Sequence, residues 1–119
     1  MAEHLETGKE GEERAQTYLT AQGYEILDLN WTHGHVELDI IAQKDNVVVF
    51  VEVKTRSTKD FGTAESFVGA KKKQHLIKAV NAYVNKKKIY AHLRFDIIGV
   101  YKNHSTWEVD HIEDAFYFF

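Results

Sequence analysis

Nothing in the chain constrains its fold more than the stretch from Val36 to Lys54, where two runs rich in branched apolar residues flank the pair Asp45-Asn46. Both runs have the composition of strands, and aspartate and asparagine tolerate the left-handed backbone of a tight turn, so the stretch predicts a β-hairpin. With Asp45 and Asn46 as the loop, Lys44 pairs with Val47, and counting back sets Asp39 opposite Glu52 and Glu37 opposite Lys54. Side chains alternate between the two sides of a strand. Glu37, Asp39, Glu52 and Lys54 therefore share one face, and Val36, Leu38, Ile40, Val49, Val51 and Val53 share the other, which reads as core.

The flanking elements follow from spacing. Thr7-Gly8-Lys9-Glu10 has capping-box spacing and predicts a helix start; Ala15, Tyr18, Leu19 and Gln22 continue it, and Gly23 suits its C-terminal cap. Tyr24 to Trp31 predicts a strand, and the hairpin arms are placed at His35 to Gln43 and Val47 to Lys54. Ser66 to Asn85 predicts a second helix, with Leu76, Ile77, Val80, Tyr83 and Val84 on one face and lysines opposite. Leu93 to Tyr101 and Thr106 to Ile112 predict two more strands around an Asn103-His104 turn. The order αβββαββ implies an α/β (α+β) architecture: a central mixed five-stranded sheet flanked by helices, in a single domain over residues 1–119.

Charge narrows the function. The net charge is −3, which argues against a uniformly basic coat, but residues 1–52 carry 11 acids against 3 bases while residues 53–119 carry 7 acids against 12 bases. Eleven of those 12 bases lie between Lys54 and Arg94, where Asp60 and Glu65 are the only acids. A basic face opposed to an acidic one suits an anionic partner, although a solvated lysine surface has the same composition. The absence of cysteine excludes disulfides and thiolate metal sites. The acidic beginning of the chain lacks the basic and apolar regions of a secretion signal, and no apolar run approaches bilayer length, so a cytoplasmic location with no membrane role is expected.

The opposed carboxylates are the chemical signal. Directly opposed residues have Cβ atoms about 4.5–5.5 Å apart, and two like charges at about 4 Å with an effective dielectric near 20 repel by about 4 kcal/mol. Lys54 offsets part of this, and full solvation would weaken it further, which is the plain-surface reading. A divalent cation would instead turn the repulsion into ligation, and carboxylate oxygens suit magnesium, manganese or calcium rather than zinc. Glu12 lies on the same helix stripe as Ala15 and Leu19, where a carboxylate is costly unless paired or liganded. An acid near a helix start is also favoured by the helix dipole. His33-Gly34-His35 has no further histidine nearby and reads as a polar loop, and His75, His92, His104 and His111 are scattered. Arg94 and Asp96 share a strand face and are expected to pair, and the apolar tail Phe116–Phe119 is expected to fold onto the core or form a subunit contact.

At these residues the chain resembles the YraN-like family, a compact branch of the PD-(D/E)XK nuclease superfamily similar to archaeal Holliday-junction resolvases. The resemblance rests on Gly11-Glu12 with Ala15 and Tyr18-Leu19, then Gly23-Tyr24, Asn30, Glu37-Leu38-Asp39-Ile40-Ile41-Ala42, Phe50-Val51-Glu52-Val53-Lys54-Thr55-Arg56, Lys71 to Lys73, and Arg94-Phe95-Asp96. It implies Asp39 and Glu52 as metal ligands, Lys54 as the catalytic lysine, Glu12 as the helix-borne acid that completes the site, and Glu37 as a supporting acid. Asp39, Glu52, Glu12 and the Val53 carbonyl would hold Mg2+ or Mn2+ for phosphodiester hydrolysis of DNA, branched or damaged structures among the substrates. Two departures stand out. Val36 occupies the position before Glu37 where the family usually has glycine, and the glutamine–tyrosine helix motif of some exonucleases is incomplete, with Gln74 followed four residues later by Lys78.

Arg56, Lys59, Lys71, Lys72, Lys73, Gln74 and Lys78 are the expected nucleic-acid contacts, supplying affinity without sequence information. Phe61 and Phe67 fall in the loop before the second helix, suited to stacking on a base or anchoring the loop. A resolvase-like task would call for a two-fold homodimer. Two other classes fit the same residues: a nucleic-acid-binding module without chemistry, and a structural or protein-interaction domain whose acids are only surface.

Overall fold

A computed structural model of the protein describes residues 2–56 and 69–116. The predicted Lys59, Phe61 and Phe67 contacts lie outside these residues, as do the last three positions of the apolar tail. In chain order the elements are α1 (Ala2–Ala21), β1 (Glu25–His33), β2 (Val36–Lys44), β3 (Val47–Arg56), α2 (Ala70–Lys87), β4 (His92–Asn103) and β5 (Thr106–Ile112). The five strands form one mixed sheet in sequence order, antiparallel except for the parallel β3–β4 pair. This is the αβββαββ layout that spacing predicts.

The hairpin turn is as expected: Asp45 is left-handed at φ 54°, and the β2–β3 ladder runs from Lys44↔Val47 to Ile40↔Val51 in the predicted register. Gly23 closes α1 at φ +95°, with the Gly23 and Tyr24 amides donating to the Thr20 and Leu19 carbonyls, the Schellman arrangement. One boundary differs. The helix does not start at Thr7 but continues back to Ala2, through acids at Glu3 and Glu6 that favour a helix N-terminus. At the β4–β5 turn the left-handed residue is His104, between the paired Asn103 and Thr106.

The hairpin does not have one apolar and one wet face, because each side of the sheet carries a helix. Ala15 and Leu19 of α1 pack on Tyr24, Ile40, Ala42, Val49, Val51, Ile98 and Val100. Against α2, its Leu76, Ala79, Val80 and Tyr83 pack on Leu38, Ile41, Val48, Phe50, Phe95 and Ile97. A central strand buried on both faces explains why Val47–Val51 is a nearly continuous apolar run rather than an alternating one. Phe116 folds back onto this second core, its ring stacked on Phe95 with centroids 4.5 Å apart. Among the described residues, no helix is long and apolar enough to cross a membrane.

Helix α1 approaches β3 very closely at one point. A Cβ built on Gly11 would lie 2.0 Å from Thr55 Oγ1 and 3.0 Å from Thr55 Cβ and Cγ2. A β-branched side chain cannot swing clear, so a residue larger than glycine would lift the helix from the sheet and carry Glu12 with it. Gly11→Ala is therefore expected to cost about 1–3 kcal/mol in chemical denaturation, and Thr55→Ala in the same chain is expected to restore part of it. An unchanged midpoint for Gly11→Ala would contradict this packing.

Candidate metal centre

Asp39 sits where regular pairing gives out. The β1–β2 ladder passes from Leu29↔Ile40 to Trp31↔Leu38, skipping the Asn30–Asp39 position, and the β2–β3 ladder stops one rung short of Asp39. Asn30 is left-handed there at φ 50°, a conformation asparagine tolerates better than most residues. The alternation of β2 slips at the same place. Val36 and Leu38 pack toward α2, whereas Ile40 and Ala42 pack toward α1. This corrects the predicted faces. The predicted apolar face is split between the two helices, whereas Glu37, Asp39 and Glu52 line one cavity and Lys54 pairs with Glu52.

The slip brings acids from two elements together. Glu12 of α1 and Glu37 and Asp39 of β2 each offer one oxygen, and these oxygens all lie within 4.8 Å of one another. Asn30 Nδ2 donates to Glu12 Oε1 at 2.9 Å and to Glu37 Oε1 at 3.4 Å, holding two of the three acids side by side. Asp39 Oδ2 accepts the Val53 amide at 2.9 Å, so the backbone donor freed by the broken ladder orients the carboxylate. Burial, followed by the charges of Glu52 and Glu12 and a hydrogen bond with Glu37, pushes the Asp39 carboxyl up to about 7 despite the opposing effect of the Val53 amide. A carboxylate held this far from its ordinary range beside further acids could hold a cation.

Glu52 stands apart from that triad. It is 8% exposed, and its Oε1 accepts Lys72 Nζ at 2.7 Å and lies 3.2 Å from Lys54 Nζ. A cavity of about 430 Å³ joins the two groups, lined by His35, Val36, Glu37, Asp39, Glu52, Lys72, His75 and Leu76. Burial alone would lower the Lys72 ammonium, but its hydrogen bond and charge pairing with Glu52 outweigh that and raise it.

The expected nucleic-acid contacts separate in space. Lys72 enters the cavity, whereas Lys71, Gln74 and Lys78 are exposed on α2 and are not among its lining residues. The Lys73 ammonium lies 5.1 Å from the Phe116 ring centroid, and exposed Arg56 donates to the Thr55 carbonyl at 3.0 Å. Sequence spacing did not single out His35 or His75 as cavity walls, nor Lys72 among its lysine neighbours. Asn30 carried a signal, since it stands in the run that resembles the nuclease family.

Asp96 and Arg94 pair as expected, but in a larger network on the α1 side. Arg94 Nε and Nη2 donate to the two Asp96 oxygens at 2.9 Å each, and Nη2 also donates to the Tyr24 hydroxyl at 2.6 Å. His111, scattered by sequence, places Nε2 2.6 Å from Asp96 Oδ2 and Nδ1 3.0 Å from the Tyr18 hydroxyl. The Asp114 amide donates to Asp96 Oδ1 at 3.0 Å. Burial would raise the Asp96 carboxyl, but the bonds from His111, Arg94 and Asp114 prevail and hold it below its ordinary value. Every lone pair is directed, which suits a structural brace.

The sequence has many relatives. A UPF0102 protein of Flavobacterium psychrophilum is 51% identical over 119 residues, covering all of both chains. A UPF0102 protein of Flavobacterium johnsoniae is 50% identical over the whole of both chains, and one of Bacteroides thetaiotaomicron is 46% identical over 98% of this chain and 97% of its own. Among solved structures, SfsA of Pyrococcus furiosus in complex with Ca2+ aligns with 90% of this chain and 62% of its own at 15% identity and a TM-score of 0.40, a likeness too slight to carry an argument. The model of the uncharacterised protein family UPF0102 matches residues 11–100, which span Glu12, Asp39, Glu52 and Lys54, and the chain belongs to that family.

Proposed function

We propose that the protein is a Mg2+- or Mn2+-dependent nuclease that hydrolyses phosphodiester bonds of DNA, branched or damaged structures among its substrates. The observation that carries this reading is the convergence of Glu12, Glu37 and Asp39 within 4.8 Å, with Glu37 and Asp39 lining a cavity shared with Glu52 and Lys72, and Lys54 paired to Glu52. The donor set is all oxygen, as hard divalent cations prefer. Glu12, Glu37 and Asp39 would hold the ion, with Glu52 and the Val53 carbonyl as further ligands. When bound, the ion would lower the pKa of a coordinated water and offset phosphate charge.

The chain's own groups supply the rest. The Val53 amide keeps the Asp39 carboxylate aimed, and Asn30 keeps Glu12 beside Glu37, so little reorganisation is left for the reaction itself. Lys54 places positive charge next to the reacting phosphate, where charge builds as the leaving oxygen departs. Exposed Arg56, Lys71 and Lys78 would meet backbone phosphates farther along the substrate.

Mg2+ or Mn2+ titrated against linear, nicked, flapped and four-way DNA tests the reading. Wild-type protein is expected to cleave at least one of these substrates, and Asp39→Ala and Lys54→Ala are each expected to lose roughly a hundredfold or more. Binding without cleavage under either metal would replace this reading with a non-catalytic nucleic-acid-binding module. Neither binding nor cleavage would point to a protein-interaction domain.

A further inference from the structure

The two lysines on Glu52 are not equivalent. Lys54 follows Glu52 on β3, whereas Lys72 reaches across the cavity from the first turns of α2 and comes closer, 2.7 Å against 3.2 Å. The Lys72 side chain is 46% exposed while that of Glu52 is 10% exposed, so a nearly buried carboxylate is met by a cation whose stem lies half in solvent. Its neighbours do otherwise. Lys71 does not line the cavity, and Lys73 covers Phe116. Among the described residues the cluster sets four carboxylates, Glu12, Glu37, Asp39 and Glu52, against two ammoniums, an excess that one divalent cation would neutralise.

We propose that Lys72 is a tethered counter-ion: it holds Glu52 while the cluster lacks a divalent cation, and it moves onto a backbone phosphate when nucleic acid binds, which frees Glu52 to face the ion. The inference rests on the metal-site reading above. A lysine ammonium is a compact charge with three rotatable donors on a flexible four-carbon stem, so it can exchange one anion for another without moving the helix that carries it. A carboxylate so engaged is unavailable to a metal. Nucleic acid and divalent cation should therefore bind with positive cooperativity, and the coupling is reciprocal. Lys72 acts through Glu52 and is a positioning residue.

The test is Mn2+ binding, read from the electron paramagnetic resonance signal of the free ion, with and without a phosphorothioate DNA duplex. Without DNA, Lys72→Met is expected to bind Mn2+ about tenfold more tightly than wild type, equivalent to about 1.4 kcal/mol. Lys86→Met, which removes the same charge in the last turn of α2, should stay within about twofold. The duplex should tighten Mn2+ binding to wild type by a larger factor than to Lys72→Met. Lys72→Gln, run in parallel with thermal melts of each variant, separates loss of the ammonium from loss of the fold. Wild-type binding with an equal or weaker affinity in folded Lys72→Met and Lys72→Gln would overturn the counter-ion role alone. No Mn2+ binding by wild type or either variant would overturn the metal-site reading and this inference with it.

Discussion

Replacing Asp39 by asparagine is expected to make the metal-free protein more stable and the metal-bound function vanish. In the folded chain the Asp39 carboxyl is raised to about 7 from an ordinary 3.8, through burial first and then the neighbouring acids. Between those values the folded state binds more protons than the unfolded state, so stability falls as pH rises through that window and is flat above it. The favourable contribution is fully present only below about 3.8. At ~1.4 kcal/mol per unit, the ionised carboxylate costs on the order of 4 kcal/mol above neutrality. Asparagine carries no charge and can still accept the Val53 amide. In EDTA at pH 8, Asp39→Asn should therefore melt several degrees above wild type, and at pH 4 the gap should close. Saturating Mg2+ or Mn2+ should raise the wild-type melting temperature and leave the variant unchanged. A variant less stable than wild type at pH 8 without metal would contradict this electrostatic account.

The largest loss of stability is expected at the other polar cluster. Asp96 is 0% exposed and holds Arg94, His111 and the Asp114 amide at once. Removing it leaves a half-buried guanidinium and an imidazole without their anion, and breaking a buried pair in this way costs about 3–5 kcal/mol. Asp96→Ala should show that loss in urea unfolding at pH 7 and melt more than about 10 °C lower. The sign with pH is opposite to that of Asp39. Because the folded carboxyl lies below 3.8, its contribution is present above that value and is lost as pH falls through the folded value. Wild type and Asp96→Ala should accordingly converge in stability under acid. An equal gap at pH 7 and in strong acid would show that packing, rather than charge, dominates at this position.

The sheet was legible because its signals are local. Asp45-Asn46 and the valines of β3 determine the hairpin and its register through neighbouring residues, and Gly23 marks the end of α1 for the same reason. The carboxylates were legible as a set, but their arrangement was not. A constant two-residue alternation puts Glu37, Asp39 and Glu52 on one face, whereas the phase of β2 changes between Leu38 and Ile40, across from the left-handed Asn30 of the neighbouring strand. Spacing on a helix likewise cannot tell which of Lys71, Lys72 and Lys73 reaches inward, since the answer depends on how α2 sits over β3. His111 looked isolated because its partners, Tyr18 and Asp96, are 93 and 15 residues away. What spacing misses in each case is a contact between elements, which no local pattern encodes.

For the proposed enclosure of a divalent cation by Glu12, Glu37 and Asp39, the most direct measurement is anomalous X-ray diffraction from crystals grown with Mn2+. The account predicts one strong anomalous peak about 2.0–2.3 Å from carboxylate oxygens of these residues, absent from crystals of Asp39→Asn. A fully ordered cluster with no peak at saturating Mn2+, or a peak confined to other residues, would contradict it.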